Sequence, residues 1–357
     1  MRVLTILVGM RLPVLMRLLF RNGITLYPVY LLRFLVIFQN ALFSSVLTLA
    51  ERKNYGKKIK AVEITSPPLF IIGHWRTGTT YLHQLIARDE QFTAPALVHT
   101  VIPDHFLFST RYYLPIMRLT TPRTRPMDNV RMHALDPQED EFALVKMGSD
   151  SPLVKMLFPR GREFFLRDYD RFIPEGEKLE TWKKNLLTFY RKLTLLEGKP
   201  IVSKNPYHTM RVSLLAEMFP GARFIHIHRD PLVVVPSTIH MWNITARDNK
   251  MKCGWVPPSI EDVSGTYGSF LEYVADQKSK LDPGQFTEVA FEELEKDPAK
   301  ELKRIYEELG LVYTDDFDAE VARFLEKNRD YRKNRYQLSG DEEKRIMSNP
   351  AFDRFFS

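Results

Sequence analysis

The stretch Leu69–Leu82, LFIIGHWRTGTTYL, holds residue types suited to gripping an anion. Gly73 and Gly78 let backbone approach a ligand with no side chain in the way, and Thr79 and Thr80 follow with hydroxyl donors. A helix opening at Thr79 would aim its free N–H groups and the positive end of its dipole at the same point. Arg76, Thr77, Gly78, Thr79 and Thr80 are therefore the candidate ligands of a phosphate or sulfate, with Arg76 as a cation inside the loop. The Walker A pattern is met at both glycines but not at its lysine, where Thr79 stands. That lysine normally reaches the β and γ phosphates, so its absence argues against a P-loop kinase or NTPase.

A second set of residues lies in Phe219–Ser237, FPGARFIHIHRDPLVVVPS. Arg229 ends an apolar run carrying Ile225 and Ile227, and Pro231 suits the first turn of a helix. Ser237 follows Arg229 by about two helical turns. A planar guanidinium fork and a neutral hydroxyl donor together suit a phosphate group.

Taken in this order, the two motifs resemble those of the sulfotransferases that use 3′-phosphoadenosine-5′-phosphosulfate (PAPS). The loop is most similar to the bacterial and tyrosylprotein branches, which put Arg where cytosolic members put Lys. The resemblance covers roughly Pro68 to Gly310. It implies a P-loop-like fold, PAPS as cosubstrate, no metal ion, and transfer of a sulfuryl group to an acceptor hydroxyl. It also implies that the loop holds the 5′-phosphosulfate and that Arg229 and Ser237 hold the 3′-phosphate. Lys204, in PIVSKNP, matches the lysine that reaches the transferred sulfate, which makes Lys204 and Arg76 catalytic candidates. The chain departs from the family pattern at Pro206, where the cytosolic branch has its catalytic histidine. Phe291 stands where many members have Tyr, and Arg332-Lys333-Asn334 only partly echoes an Arg-Lys-Gly element.

An acceptor hydroxyl needs a general base. Asp136–Leu144, DPQEDEFAL, reads as a helix start with Asp136 as N-cap and Pro137 at the first position. Glu139 and Glu141 are the first candidates, although carboxylates in a first turn also serve the helix dipole. His133 and His99 are the alternatives, while His208 reads as a packing or capping residue.

These residues need elements to hold them. Leu69–Ile72, Pro200–Ser203, Arg223–His228 and Phe286–Ala290 read as buried strands, with helices at Thr79–Arg88 and Pro298–Leu309. Strands separated by helices predict an α/β domain with a mostly parallel sheet flanked by helices. The charged stretch Glu51–Lys60 reads as a joint between an apolar helical segment, 1–60, and a catalytic domain, 61–357. A less regular stretch between Phe106 and Met132, with Pro115, Pro122 and Pro126, is where an acceptor pocket would be built.

Composition narrows the partners. The chain of 357 residues is 44% hydrophobic and 27% charged, as expected of a globular protein. Its one cysteine, Cys253, excludes an internal disulfide framework and suits a reducing, cytoplasmic setting. The net charge is +7, yet the early arginines (Arg2, Arg11, Arg17, Arg21, Arg33) are interleaved with apolar residues. That pattern predicts a membrane surface as partner rather than nucleic acid. Phe34–Ala50 carries no charge, but as a helix it would rise roughly 25 Å, short of the ~30 Å hydrocarbon core. The expected attachment is peripheral, through an apolar segment that includes residues 27–50. Together with Phe106, Phe108, Tyr112 and Tyr113, it suggests a hydrophobic alcohol, such as a lipid or sterol, as acceptor. A P-loop kinase and a non-catalytic nucleotide-binding protein are the alternative readings. The Asn243-Ile244-Thr245 sequon reads as coincidence within a helix.

Overall fold

A computed structural model describes residues 5–23, 30–125, 127–128, 130–159, 164–166, 172–329, 333–334 and 336–356. Arg2, Arg332 and residues 27–29 of the apolar segment lie outside them. In chain order the elements begin α1 (Leu12–Asn22), α2 (Leu31–Ala61), β1 (Leu69–Ile72), α3 (Thr79–Ile86), α4 (Leu97–Val101) and α5 (Phe106–Thr120). There follow α6 (Glu141–Met147), α7 (Leu153–Leu157), α8 (Gly176–Glu197), β2 (Val202–Lys204), a 3-10 helix at Pro206–Arg211, α9 (Val212–Met218) and β3 (Arg223–His228). The chain closes with α10 (Pro231–Asn249), α11 (Ile260–Lys278), β4 (Phe286–Ala290), α12 (Phe291–Lys296), α13 (Pro298–Glu308), α14 (Asp315–Lys327), α15 (Gly340–Met347) and α16 (Pro350–Phe356). They form two compact units: Met1–Thr65 with Pro95–Gly198 and Trp242–Pro257, and Ser66–Ala94 with Lys199–Met241 and Pro258–Ser357.

The second unit contains the sheet. Its four strands run parallel in the order β2-β1-β3-β4, as the alternation of strand and helix predicts. All four residues of β1 are buried, so both of its faces are covered. Leu69 and Ile71 join a core with Leu82, Leu85 and Ile86 of α3 and with Leu302 and Ile305 of α13. Phe70 points the other way, stacked on Phe224 and packed against Phe219 and His208. His208 is thus a packing residue, as its position after β2 suggested. Each buried aliphatic or aromatic side chain of this kind is worth about 1.5–3 kcal/mol of hydrophobic stabilisation.

The first unit is helical and is organised by α2. This helix buries Arg33, Ile37, Ala41, Ser44, Thr48 and Glu51, a single stripe at spacings of three and four residues. The stripe includes two charged residues, Arg33 and Glu51, and two hydroxyls, Ser44 and Thr48, which would be costly to bury without partners. Arg33 donates to the Lys250 carbonyl at 2.7 Å, and Glu51 pairs with Lys192 of α8 at 2.5 Å, both side chains nearly sealed from water. Glu51 also accepts from the Phe108 N–H at 3.1 Å, and Lys192 donates to the Pro103 carbonyl. Burial pushes the Glu51 carboxyl up and the Lys192 ammonium down, and their contact opposes both shifts.

Three local readings differ from expectation. Glu51–Lys60 is not irregular but continues α2 as helix, because its lysines and arginine are good helix formers. The proline-bearing stretch is helical over Phe106–Thr120, with Pro115 inside the helix. The helix expected to start at Asp136 starts at Glu141, with Asp140 at the cap and its carboxylate held by the Tyr190 hydroxyl at 2.7 Å.

Lys192→Met alone leaves the Glu51 carboxylate buried and uncompensated, and should cost about 3–5 kcal/mol. The double variant Glu51→Gln/Lys192→Met should cost clearly less than the two single changes together, as a denaturant-unfolding cycle would measure.

Candidate active site

The loop from Gly73 to Gly78 leaves the C-terminal end of β1 and is pinned along its length. At its start the Thr209 hydroxyl accepts from the Gly73 N–H at 2.8 Å and donates to the Gly73 carbonyl at 3.1 Å. In its middle, Trp75 is buried against Tyr207 and Phe270, and the Thr238 hydroxyl donates to the Trp75 carbonyl at 3.3 Å. His74 is sealed from water, and burial depresses its pKa to about 3, so it is neutral and structural. The Thr77 hydroxyl donates back to the His74 carbonyl at 2.8 Å.

Two positions need glycine for more than flexibility. Gly73 has φ +146°, and a Cβ there would stand 2.4 Å from the Ile227 carbonyl oxygen. Gly78 has φ +100° and caps α3; a Cβ there would stand 2.1 Å from Cδ2 of Phe291. Arg76 itself sits at φ +71°, a left-handed conformation that costs a non-glycine residue of order 1 kcal/mol. Thr79 and Thr80 form the first turn of α3, the former buried and the latter half-buried.

Arg76 and Ser237 are brought together, since the Arg76 Nε–H donates to the Ser237 hydroxyl at 2.8 Å. Ser237 lies on α10, about two turns beyond Arg229, as its spacing required. Arg229 leaves the end of β3 with its backbone clasped by Tyr267, whose hydroxyl accepts from its N–H and donates to its carbonyl. The guanidinium lies 4.1 Å over the ring of Phe291, with Nε 3.9 Å from Glu292. Phe291 therefore touches both motifs, Gly78 on one side and Arg229 on the other. Lys333, from the stretch that partly echoed a phosphate element, reaches the same ring at 5.4 Å and pairs with Glu295. Lys204 ends β2 in register with Ile71, two residues before the loop begins, and is buried.

Thr209, Tyr267 and the bridging role of Phe291 are not legible in the sequence. Phe291 carried one signal, the exchange of an expected Tyr; the other two lie on elements distant in sequence and bear no motif.

The candidate bases belong to the other unit. Glu139 is half-buried, and Glu141, in the first turn of α6, is fully buried. His133 is exposed. His99 is a poor base, because its Nδ1 already accepts from the Ala96 N–H at 3.2 Å and burial depresses its pKa to about 4. In that neutral tautomer Nε2 carries the proton, which leaves the ring no open lone pair.

A four-stranded parallel sheet flanked by helices, its first strand ending in a glycine-framed, arginine-bearing loop, places the chain in the α/β class. The chain belongs to the sulfotransferase family, whose model matches residues 67–315, and it is a sulfotransferase. It is 34% identical over 299 residues to the omega-hydroxy-beta-dihydromenaquinone-9 sulfotransferase Stf3 of Mycobacterium bovis, across 84% of this chain and 77% of that one. The Stf3 of Mycobacterium tuberculosis matches equally. Among solved structures, sulfotransferase STF9 from Mycobacterium avium shares the fold, with a TM-score of 0.68 at 18% identity over 94% of this chain and 88% of that one.

Gly78→Ala should lower stability by about 2–4 kcal/mol, the sum of a strained φ and a clash with Phe291. Adding Phe291→Leu should relieve the clash, so that the double variant unfolds at a higher denaturant concentration than additivity predicts.

Proposed function

We propose that this sulfotransferase takes its sulfuryl group from PAPS and places it on the hydroxyl of a hydrophobic alcohol. The observation that carries the reading is the bond from Arg76 to Ser237. It joins a residue suited to the 5′-phosphosulfate end of one nucleotide to a residue suited to its 3′-phosphate. The donor set fits that ligand: loop amides and Arg76 for one anionic group, the Arg229 fork and the Ser237 hydroxyl for the other. Bound PAPS would supply an activated sulfuryl group on a phosphate leaving group.

The residues of the chain then have three tasks. Arg76 and the loop amides hold and orient the anion, which converts binding energy into alignment. Arg76 and Lys204 neutralise charge that spreads over the sulfuryl and bridging oxygens as the acceptor O–S bond forms and the S–O bond to phosphate breaks. Glu139 or Glu141 takes the acceptor's proton, a contribution of about 10²- to 10⁴-fold, and Glu139 is the more accessible of the two.

The relative supports the acceptor class. Stf3 is named for a hydroxylated dihydromenaquinone, a lipid, and it matches most of this chain. A lipid acceptor accords with the apolar helical segment, which we read as the part that meets the membrane from the cytoplasmic side.

Titration of the desulfated product, PAP, without magnesium should give micromolar affinity, weakened at least tenfold by Arg229→Ala and by Ser237→Ala. A folded protein that ignores PAP and turns over ATP with magnesium would overturn the donor. With PAPS labelled in its sulfuryl group, the label should enter the lipid fraction of a cell extract. Glu139→Gln should slow that transfer about a hundredfold while leaving PAP affinity unchanged.

A further inference from the structure

The helix α2 is folded inside out. Over residues 31–51 the charged residues face the protein, with Arg33 and Glu51 almost wholly excluded from water, while Gln39 is a lone polar residue on the exposed side. Its exposed side carries Leu31, Leu32, Leu35, Leu42, Phe43, Val46 and Leu49, each at least two-fifths accessible. No charged side chain interrupts that side over about 27 Å of helix. Beyond it the character changes abruptly: Arg52, Lys53, Lys57, Lys58 and Lys60 are all exposed, and no acidic residue follows until Glu63.

Helix α5 extends the face. Its start is fixed by Glu51, which accepts from the Phe108 N–H, and Tyr113 hydrogen-bonds Asn40 and Ser44. These contacts run α5 antiparallel to α2. Tyr112, Ile116 and Leu119 are left on its outer side, Leu119 89% exposed, with Arg111 and Arg118 beside them. A solvent-facing surface of this composition would be an aggregation hazard, so an occupant must cover it.

We infer that this face is a docking surface for one leaflet of a bilayer bearing anionic lipids, with α2 lying in the interface and not crossing it. The inference rests on the proposed lipid acceptor for its purpose but on the helix alone for its geometry. By length and composition α2 could cross a membrane. A lone crossing helix, however, meets lipid on all sides, whereas one stripe of α2 is buried in its unit and held at both ends by polar contacts, Arg33 to the Lys250 carbonyl and Glu51 to Lys192. The apolar side enters the acyl region, and the five basic residues at its end meet lipid phosphates. Each basic side chain near an anionic surface strengthens binding about fivefold. Charge complementarity selects anionic lipid over a second copy of this chain, whose matching face would bring like charges together.

The test is flotation of the full-length protein with vesicles of phosphatidylcholine alone and with about a third phosphatidylglycerol. Wild type should float with both and bind the anionic vesicles at least tenfold more tightly. Phe43→Ser/Val46→Ser/Leu49→Ser should stop flotation on either. Arg52→Ser/Lys53→Ser/Lys57→Ser/Lys58→Ser/Lys60→Ser should abolish most of the preference for anionic vesicles and leave binding to phosphatidylcholine unchanged. Should the apolar triple variant misfold, Leu49→Gln alone should still weaken binding severalfold. Wild type that stays in solution with both vesicles overturns the proposal. So does a dimer that the apolar substitutions return to monomer, which would assign the face to a second copy. PAP titration run alongside separates the readings: flotation without PAP binding sinks the donor and keeps the face, and PAP binding without flotation does the reverse.

Discussion

The second unit depends on the close approach of backbone between β1 and α3. The loop there must bend at Gly73 under the Ile227 carbonyl, carry Arg76 through a left-handed conformation, and pass Gly78 beneath the ring of Phe291. No residue with a side chain fits at either glycine without moving its neighbour. Around this constraint the remaining contacts make sense as clamps: Thr209 on the first glycine, Thr238 on Trp75, Ser237 on Arg76. A loop held at so many points has its N–H and guanidinium donors fixed in place by its own fold, and fixed donors need no reorganisation.

Phe291 gives the site its coherence. An aromatic ring that fills the space over Gly78 and also lies under the Arg229 guanidinium couples two motifs far apart in sequence. The strand order places β3 between β1 and β4, so the Gly73–Gly78 loop and Arg229 leave adjacent strand ends and Phe291 follows β4, the neighbour of β3. This is the usual place for ligands on a parallel sheet, beyond the carboxyl ends of its strands.

Much of this was legible in the sequence, for identifiable reasons. The strand at Leu69–Ile72 announces itself as an unbroken apolar run between Pro and Gly, and the helix at Thr79 by the threonines after a glycine. The Arg229 and Ser237 spacing survived because a helix does connect them. What failed were boundaries set by tertiary partners. Asp136 has the cap residue and the proline that should start a helix, yet the helix waits for Asp140, whose carboxylate is held by Tyr190. Glu51–Lys60 has the charge of a joint, but charge on helix-forming side chains does not break a helix. The inward-facing polar stripe of α2 could not be foreseen, because composition says which residues are polar and not where their partners wait.

The sheet also sets a schedule. Its first strand pairs with β2 and β3, and β4 completes it, so residues joined in one ladder are far apart along the chain. During synthesis β1 leaves the ribosome long before its neighbours exist, and the apolar run Leu69–Ile72 must wait unpaired through the whole of Pro95–Gly198. Helices α4 to α8 of the first unit are made in that interval, and α1 and α2 precede every strand. The nascent chain therefore presents its apolar helix to the cell before it possesses a catalytic sheet, and the late arrival of β4 makes this a fold finished from its C-terminal end.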